Sequence, residues 1–247
     1  LSSVAVEPVN VLCMKWGTKY PADYVNKLYS MVNRNLNKEF RFVCLTEDAE
    51  GLDKNIEVFP LPEPEVKLDG PERGWNKLAV FSESLYDLKG KVLCLDLDLI
   101  ITGSLDDLFD YPGKVIIIKD WIKKDGTGNS SVYRFEVGAH PEILSKFEQS
   151  FKEIKNIHRN EQEYLSAELI AKNALSYWPD QWCRSFKRHC IKPFSLFFAR
   201  KTQMPEDTRV VVFHGKPDPH EAIIGVSGKW YRRFKPASWV ADHWASD

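Results

Sequence analysis

No run of apolar residues in this chain approaches the ~20 needed to cross a bilayer, so no segment is expected to span a membrane. Net charge is equally scarce: 34 Lys and Arg stand against 35 Asp and Glu, a formal charge of −1. That balance supplies no global field for nucleic acid or anionic lipid, and any charge-based function must be local. Internal repeats and low-complexity tracts are missing too. Cysteine is too sparse for a zinc site. Of the five, Cys13, Cys44 and Cys94 sit in apolar, strand-like runs as buried thiols, and Cys183 and Cys190 have no second pair beside them. A reducing, cytosolic setting is the expectation, with no signal-peptide pattern visible from Leu1 onward.

What remains is the composition of an ordinary globular protein, 43% hydrophobic and 28% charged over 247 residues. One domain over residues 1–247 is expected, with an aromatic and basic extension at 229–247, part helical, packing on it. Short apolar runs predict strands at Val9–Met14, Phe40–Leu45, Ile56–Phe59, Lys91–Leu95, Val115–Ile118, Ser131–Phe135 and Arg209–Phe213. Helical spacing predicts helices at Ala22–Asn35, Trp75–Tyr86, Pro141–Ile154 and Gln162–Lys172, with a proline-rich loop at Pro60–Pro71. Alternating strands and helices argue for an α/β fold around a parallel sheet. Such sheets bind ligands at the carboxyl ends of their strands, where Lys15–Tyr20 and Asp96–Asp98 fall.

The strongest local signal is Cys94-Leu95-Asp96-Leu97-Asp98-Leu99. Residues two apart in extended chain face the same way, so Asp96 and Asp98 project together as two unpaired, repelling carboxylates. A divalent cation resolves that repulsion, and carboxylate oxygens suit Mg²⁺ or Mn²⁺. The bland alternative is two surface acids closing a strand. A second signal is Val210-Val211-Val212-Phe213-His214-Gly215-Lys216-Pro217. His214 could complete a metal shell, Gly215 would allow close approach to the backbone, and Lys216 could meet a phosphate. A lone histidine after a strand is often only a hydrogen-bonded structural residue.

Taken in order, these segments resemble the retaining GT-A glycosyltransferases of family eight, the glycogenin-like and lipopolysaccharide galactosyl- and glucosyltransferase group. Val11–Tyr20 resembles the first strand and nucleotide-binding loop, and Trp75-Asn76-Lys77-Leu78 the segment whose basic residue lies near the donor. Asp96-Leu97-Asp98 resembles the metal-binding Asp-x-Asp. Asn129-Ser130-Ser131 resembles the donor-sugar segment. Glu161-Gln162-Glu163-Tyr164-Leu165 is similar to an Asp-Gln-Asp-x-Leu with both acids one methylene longer. His214-Gly215-Lys216-Pro217 is similar to the closing motif shortened by three residues.

The resemblance implies a GT-A fold, Rossmann-like, with a mixed central sheet flanked by helices. It implies transfer of a hexose from a nucleotide diphosphate sugar, a UDP-sugar foremost, to a glycan or lipid-linked glycan, with retention. Mn²⁺, with Mg²⁺ as substitute, would sit on Asp96, Asp98 and His214. Trp16, Gly17, Tyr20, Lys77, Asp96, Asn129, Ser130 and Lys216 would bind the donor, and Gln162, Glu161 and Asp98 would serve the reaction. Arg232, Arg233 and Lys235 among aromatics could touch the inner face of a membrane; Asp180, Trp182 and His220-Glu221 could touch an acceptor or simply form turns. One rival reading is a phosphohydrolase of the haloacid-dehalogenase type with Asp96 as nucleophile. Ile100 stands where that class expects Thr or Val, roughly ninety residues precede the motif, and no Gly-Asp-x-x-x-Asp follows. A non-catalytic sugar-binding module is the other rival.

Overall fold

The structure is a computed structural model in which residues 7–192, 200–227 and 234–246 are described. Strands β1 (Val9–Lys15), β2 (Phe40–Thr46), β3 (Glu57–Phe59) and β4 (Lys91–Leu95) are followed by β6 (Val115–Lys119), β7 (Gly128–Glu136) and β8 (Leu175–Tyr177) in a seven-stranded sheet. Its order is β3-β2-β1-β4-β7-β6-β8. A smaller sheet joins β5 (Leu99–Ile101), β10 (Val210–Val212) and β9 (Cys183–Ser185), in the order β5-β10-β9.

The large sheet is not wholly parallel, as the alternation of elements suggests it would be. β1 pairs in parallel with β2 and β4, but β7 runs antiparallel to both β4 and β6. The reason is local. β6 and β7 are joined by the short loop 120–127, and a parallel pair needs a longer crossover, usually through a helix.

Both faces of the sheet are covered, so its strands read as near-continuous apolar runs. Along β1, Val11 and Cys13 enter one core and Leu12 the opposite one, the two-residue period of extended chain. Against the first face pack α1 (Ala22–Asn35), through Val25, Leu28, Met31 and Val32, and the smaller sheet with α2 (Asp106–Asp110). On the second face lie a 3-10 helix at Gly70–Phe81 and helices α3 (Pro141–Gln149), α4 (Phe151–Ile157) and α5 (Glu161–Ala171). α6 (Pro219–Ile224) and α7 (Ser238–His243) pack on each other, and α7 also reaches β5.

Two helix expectations change. The α-helix foreseen at Trp75–Tyr86 is a 3-10 helix that begins at Gly70 and stops at Phe81. The helix foreseen at Pro141–Ile154 divides at Ser150, which ends α3 and precedes α4. All five cysteines are buried free thiols. Among the described residues no helix is long and apolar enough to cross a membrane. Of the C-terminal stretch, Trp244 packs edge-on against Tyr24 and under Lys27, while Arg232 and Arg233 lie outside the described residues.

Candidate active site

The parallel strands β1 and β4 deliver their carboxyl ends to one place. Beyond β1 the chain turns at Gly17, whose φ of +60° is the left-handed region that glycine adopts without strain. The Gly17 N–H donates to Glu47 Oε1 at 2.8 Å, and Arg73 donates to Glu47 Oε2 at 2.8 Å. That bridge fixes the loop carrying Trp16 and Tyr20. The Tyr20 hydroxyl donates to Asp98 Oδ2 at 2.8 Å, and Lys19 Nζ lies 2.5 Å from the same hydroxyl.

Beyond β4, Asp96 and Asp98 are held by their backbones. The Asp96 N–H donates to Ser131 O of β7, and the Phe213 N–H donates to Asp98 O, each at 2.9 Å. Their carboxylates are not unpaired, as an extended Asp-x-Asp alone implies. Lys77 Nζ donates to Asp96 Oδ1 at 2.5 Å, with both side chains largely buried. Burial opposes the Lys77 charge, but Asp96 and then Glu161 outweigh it and raise its pKa. Burial, and after it the Asp96 charge, raises Asp98 to about 6 against the pull of Tyr20.

Trp16, Tyr20, Lys77, Asp96, Asp98 and Glu161 line a single cavity of about 280 Å³. Ser130 on β7 reaches the cavity through Glu161, whereas Asn129, beside it in sequence, is not among the lining residues. Ser130 Oγ donates to Glu161 Oε1 at 3.0 Å, and the Ser130 N–H donates to Gln162 Oε1 at 3.2 Å. These two bonds tie the first residues of α5 to β7. The Asn129 amide oxygen accepts the Ser131 N–H. Glu163 is occupied otherwise: its own N–H donates to the N-cap Asn160, and its carboxylate takes Lys123 and the Arg159 N–H.

The closing motif is placed differently from the expectation. His214 Nε2 is 2.7 Å from Ser185 Oγ, and its ring stacks on Trp121 at 5.3 Å. Burial first, then Lys187 and Arg188, lower its pKa to about 4, so the imidazole is neutral near pH 7. It does not line the cavity, although the backbone next to it bonds Asp98. Lys216 is further removed from the expected role. Its Nζ contacts Asp218 and Glu221 at 2.8 and 2.7 Å, within the capping box that begins α6. His220 Nδ1 bonds the Tyr24 hydroxyl at 2.7 Å, and Trp182 closes a turn onto Pro179 O. Asp218, His220 and Glu221 come close together, but Lys216 already balances the two acids.

Glu47 and Arg73 were not singled out in the sequence. Glu47 directly follows β2, a strand parallel to β1, so its position at a carboxyl end was a usable signal. Arg73 carried none, because its place depends on the 3-10 helix. Of the expected donor set, Asp96 and Asp98 share the cavity and His214 does not. Two near carboxylates, one raised by burial and by the charge of the other, are the kind of oxygen donors that suit a hard cation, whereas the His214 ring is turned to Ser185 and Trp121 rather than to them.

The fold is that of the GT-A glycosyltransferases: a mixed seven-stranded sheet flanked by helices. The chain is similar to the solved galactosyltransferase LgtC in complex with donor and acceptor sugar analogs. Identity is 16%, coverage 85% of this chain and 88% of that one, and the TM-score 0.59. An LgtC variant with an active-site glutamine changed to glutamate matches with a TM-score of 0.56 at 15% identity, over 85% and 89% of the two chains. The bifunctional glycosyltransferase WbbM matches at 12% identity over 89% of this chain and 48% of its own, TM-score 0.58. The glycosyltransferase GlyE of Streptococcus pneumoniae matches at 18% identity over 72% and 46%, TM-score 0.51. No protein-family model matches the sequence, and no curated protein is similar to it in sequence.

Proposed function

We propose that this chain is a metal-dependent hexosyltransferase of the family-eight kind. It would move a hexose from a nucleotide diphosphate sugar, a UDP-sugar foremost, to a glycan or lipid-linked glycan acceptor with retention. The observation that carries this reading is the convergence of Asp96, Asp98, Lys77, Glu161, Trp16 and Tyr20 on one cavity at the carboxyl ends of β1 and β4. The GT-A fold supports it; a phosphohydrolase reading has no such support.

The residues divide the work. Asp96 and Asp98 would hold Mn²⁺, or Mg²⁺ in its place, with His214 as a further ligand once its ring turns away from Ser185. When bound, the cation acts as a Lewis acid toward the leaving diphosphate. Lys77, charged and adjacent to Asp96, would add positive charge beside the same group. Trp16 and Tyr20 offer rings for the nucleobase. Gln162, with its amide oxygen fixed by the Ser130 N–H, would turn its NH₂ to the reacting sugar, and Glu161, held by Ser130 Oγ, would sit beside it. In a front-face route the leaving phosphate takes the acceptor proton, so no separate base is required.

A panel of nucleotide diphosphate sugars, each with and without Mn²⁺, tests this by release of free nucleotide. The expectation is Mn²⁺-dependent turnover of one UDP-sugar and a product anomeric coupling that matches the donor. Asp98→Ala should lose at least about 100-fold in rate, the several kcal/mol carried by a catalytic cation. Near-wild-type turnover of that variant in saturating Mn²⁺ would remove the metal assignment.

A further inference from the structure

A second cavity lies against another face of the helix that supplies Lys77. Residues three apart share a face in a 3-10 helix. Trp75, Leu78 and Phe81 enter the core. Gly74 and Lys77 line the cavity already described. Arg73 and Asn76 line a different one, of about 360 Å³, past the carboxyl ends of β2 and β3. It adjoins a further space of about 360 Å³ under the loop 63–69, which shares Glu63, Arg73 and Asn76. Together they fall in the size range of small-ligand sites.

Asn76 sets this cavity apart. It is 9% exposed, and among the described residues its side-chain amide makes no hydrogen bond. The amide is not among the sealed, unsatisfied side-chain atoms of the described residues, so its donor and acceptor reach solvent. Asn76 borders open volume, where a ligand can use both its donor and its acceptor. Around it stand the Glu63 carboxylate, an acceptor only, and the Arg73 guanidinium, a donor with N–H groups beyond the one given to Glu47. Phe59 and Leu61 form the apolar wall.

This set selects among ligand classes. Phosphate would meet the charges of Glu47 and Glu63. A nucleobase would need a free aromatic face, and Phe59 is already stacked on Tyr86 with centroids 4.5 Å apart. A pyranose suits both halves: vicinal hydroxyls donate to the carboxylate and pair with the amide and guanidinium, and its C–H face lies on the apolar wall.

We propose that this cavity binds a hexose unit of the acceptor glycan, remote from the unit that reacts, so that the acceptor is an oligosaccharide. The acceptor assignment rests on the function proposed above; the hexose site does not. The test uses the full chain labelled with ¹⁵N, and glucose, galactose, mannose, maltose and lactose as probes. The Asn76 side-chain NH₂ signal, identified by its loss in Asn76→Ala, should shift saturably with at least one sugar at a Kd on the order of mM. Asn76→Ala should weaken that sugar about tenfold, the worth of one hydrogen bond. Leu61→Trp, which fills the cavity, should abolish binding, and both variants should bind UDP with Mn²⁺ as the wild type does. If no sugar moves the signal, or both variants bind sugar as the wild type does, the site is refuted. If sugar binds and UDP with Mn²⁺ does not, the hexose site stands and its acceptor role falls.

Discussion

At the scale of single residues, Asp96 and Asp98 look equivalent in sequence and are not equivalent in the fold. Lys77 neutralises Asp96 directly, whereas Asp98 has a neutral donor in Tyr20 and a like charge close by. Its pKa, about 6, exceeds the unfolded value of ~3.9. A carboxyl raised on folding contributes stability fully below its unfolded pKa and loses it as pH rises through the folded one. At neutral pH the ionised Asp98 therefore weakens the metal-free protein, by about 3 kcal/mol for a shift of this size. Asp98→Asn keeps the Tyr20 contact and removes the charge. It should raise Tm at neutral pH by roughly 6–12 °C for a chain of this length, and most of the gain should vanish near pH ~4, where Asp98 is already protonated. Melts in the absence of metal check this; an equal gain at both pH values would mean that the charge is not the cause. His214 shows the opposite shift. Free imidazole titrates near pH ~6.5, but the buried ring, beside Lys187 and Arg188, stays neutral down to about 4.

The 3-10 helix at Gly70–Phe81 is the element whose character matters most and was least legible. Its apolar residues, Trp75, Leu78, Ala79, Val80 and Phe81, satisfy helical spacing of either kind, and 3-10 runs this long are uncommon. The subset spaced by exact threes, Trp75, Leu78 and Phe81, was the only hint, and it determines which side chains face which cavity. Short strands were hidden for a related reason. β5, β8 and β9 have three residues each, too few to display alternation, and Leu99–Ile101 merges with the Asp-x-Asp run before it. Long periodic elements such as α1 and β2 were read within a residue of their bounds, because burial repeats along them. The three-residue register makes a paired prediction. Leu78→Ala removes a fully buried side chain and should cost about 2–5 kcal/mol, whereas Asn76→Ala removes an amide that bonds nothing and should cost within about 0.5 kcal/mol. Urea unfolding of both variants measures the contrast, and similar costs would mean that Asn76 supports the fold rather than a ligand.

Across the whole molecule, the candidate site gathers Trp16, Tyr20, Gly74, Lys77, Asp96, Asp98 and Glu161, which sequence order keeps far apart. The motifs could be read one by one because each sits at an element end. Their meeting depended on strand order and on β7 running antiparallel, which loop length alone only partly encodes. The position of Lys216 was not legible because its contacts are set by the turn into α6, not by distance along the chain from His214. A site assembled this way couples ligand binding to the stability of the entire fold, since no single segment can hold the ligand once the chain opens. A ligand at about 100 times its Kd adds about 2.7 kcal/mol, or roughly 5–10 °C of Tm at this size. UDP with Mn²⁺ should therefore raise Tm by that order, and by more than UDP alone, because the cation offsets the charge of Asp96 and Asp98 against the diphosphate. Asp98→Asn should abolish the additional rise due to Mn²⁺. Lys216→Ala should leave it unchanged, because that ammonium is engaged by Asp218 and Glu221 outside the cavity. Thermal melts of the three proteins, with UDP alone and with UDP plus Mn²⁺, decide the matter. Loss of the rise in Lys216→Ala would return that lysine to the diphosphate and require the start of α6 to rearrange on binding.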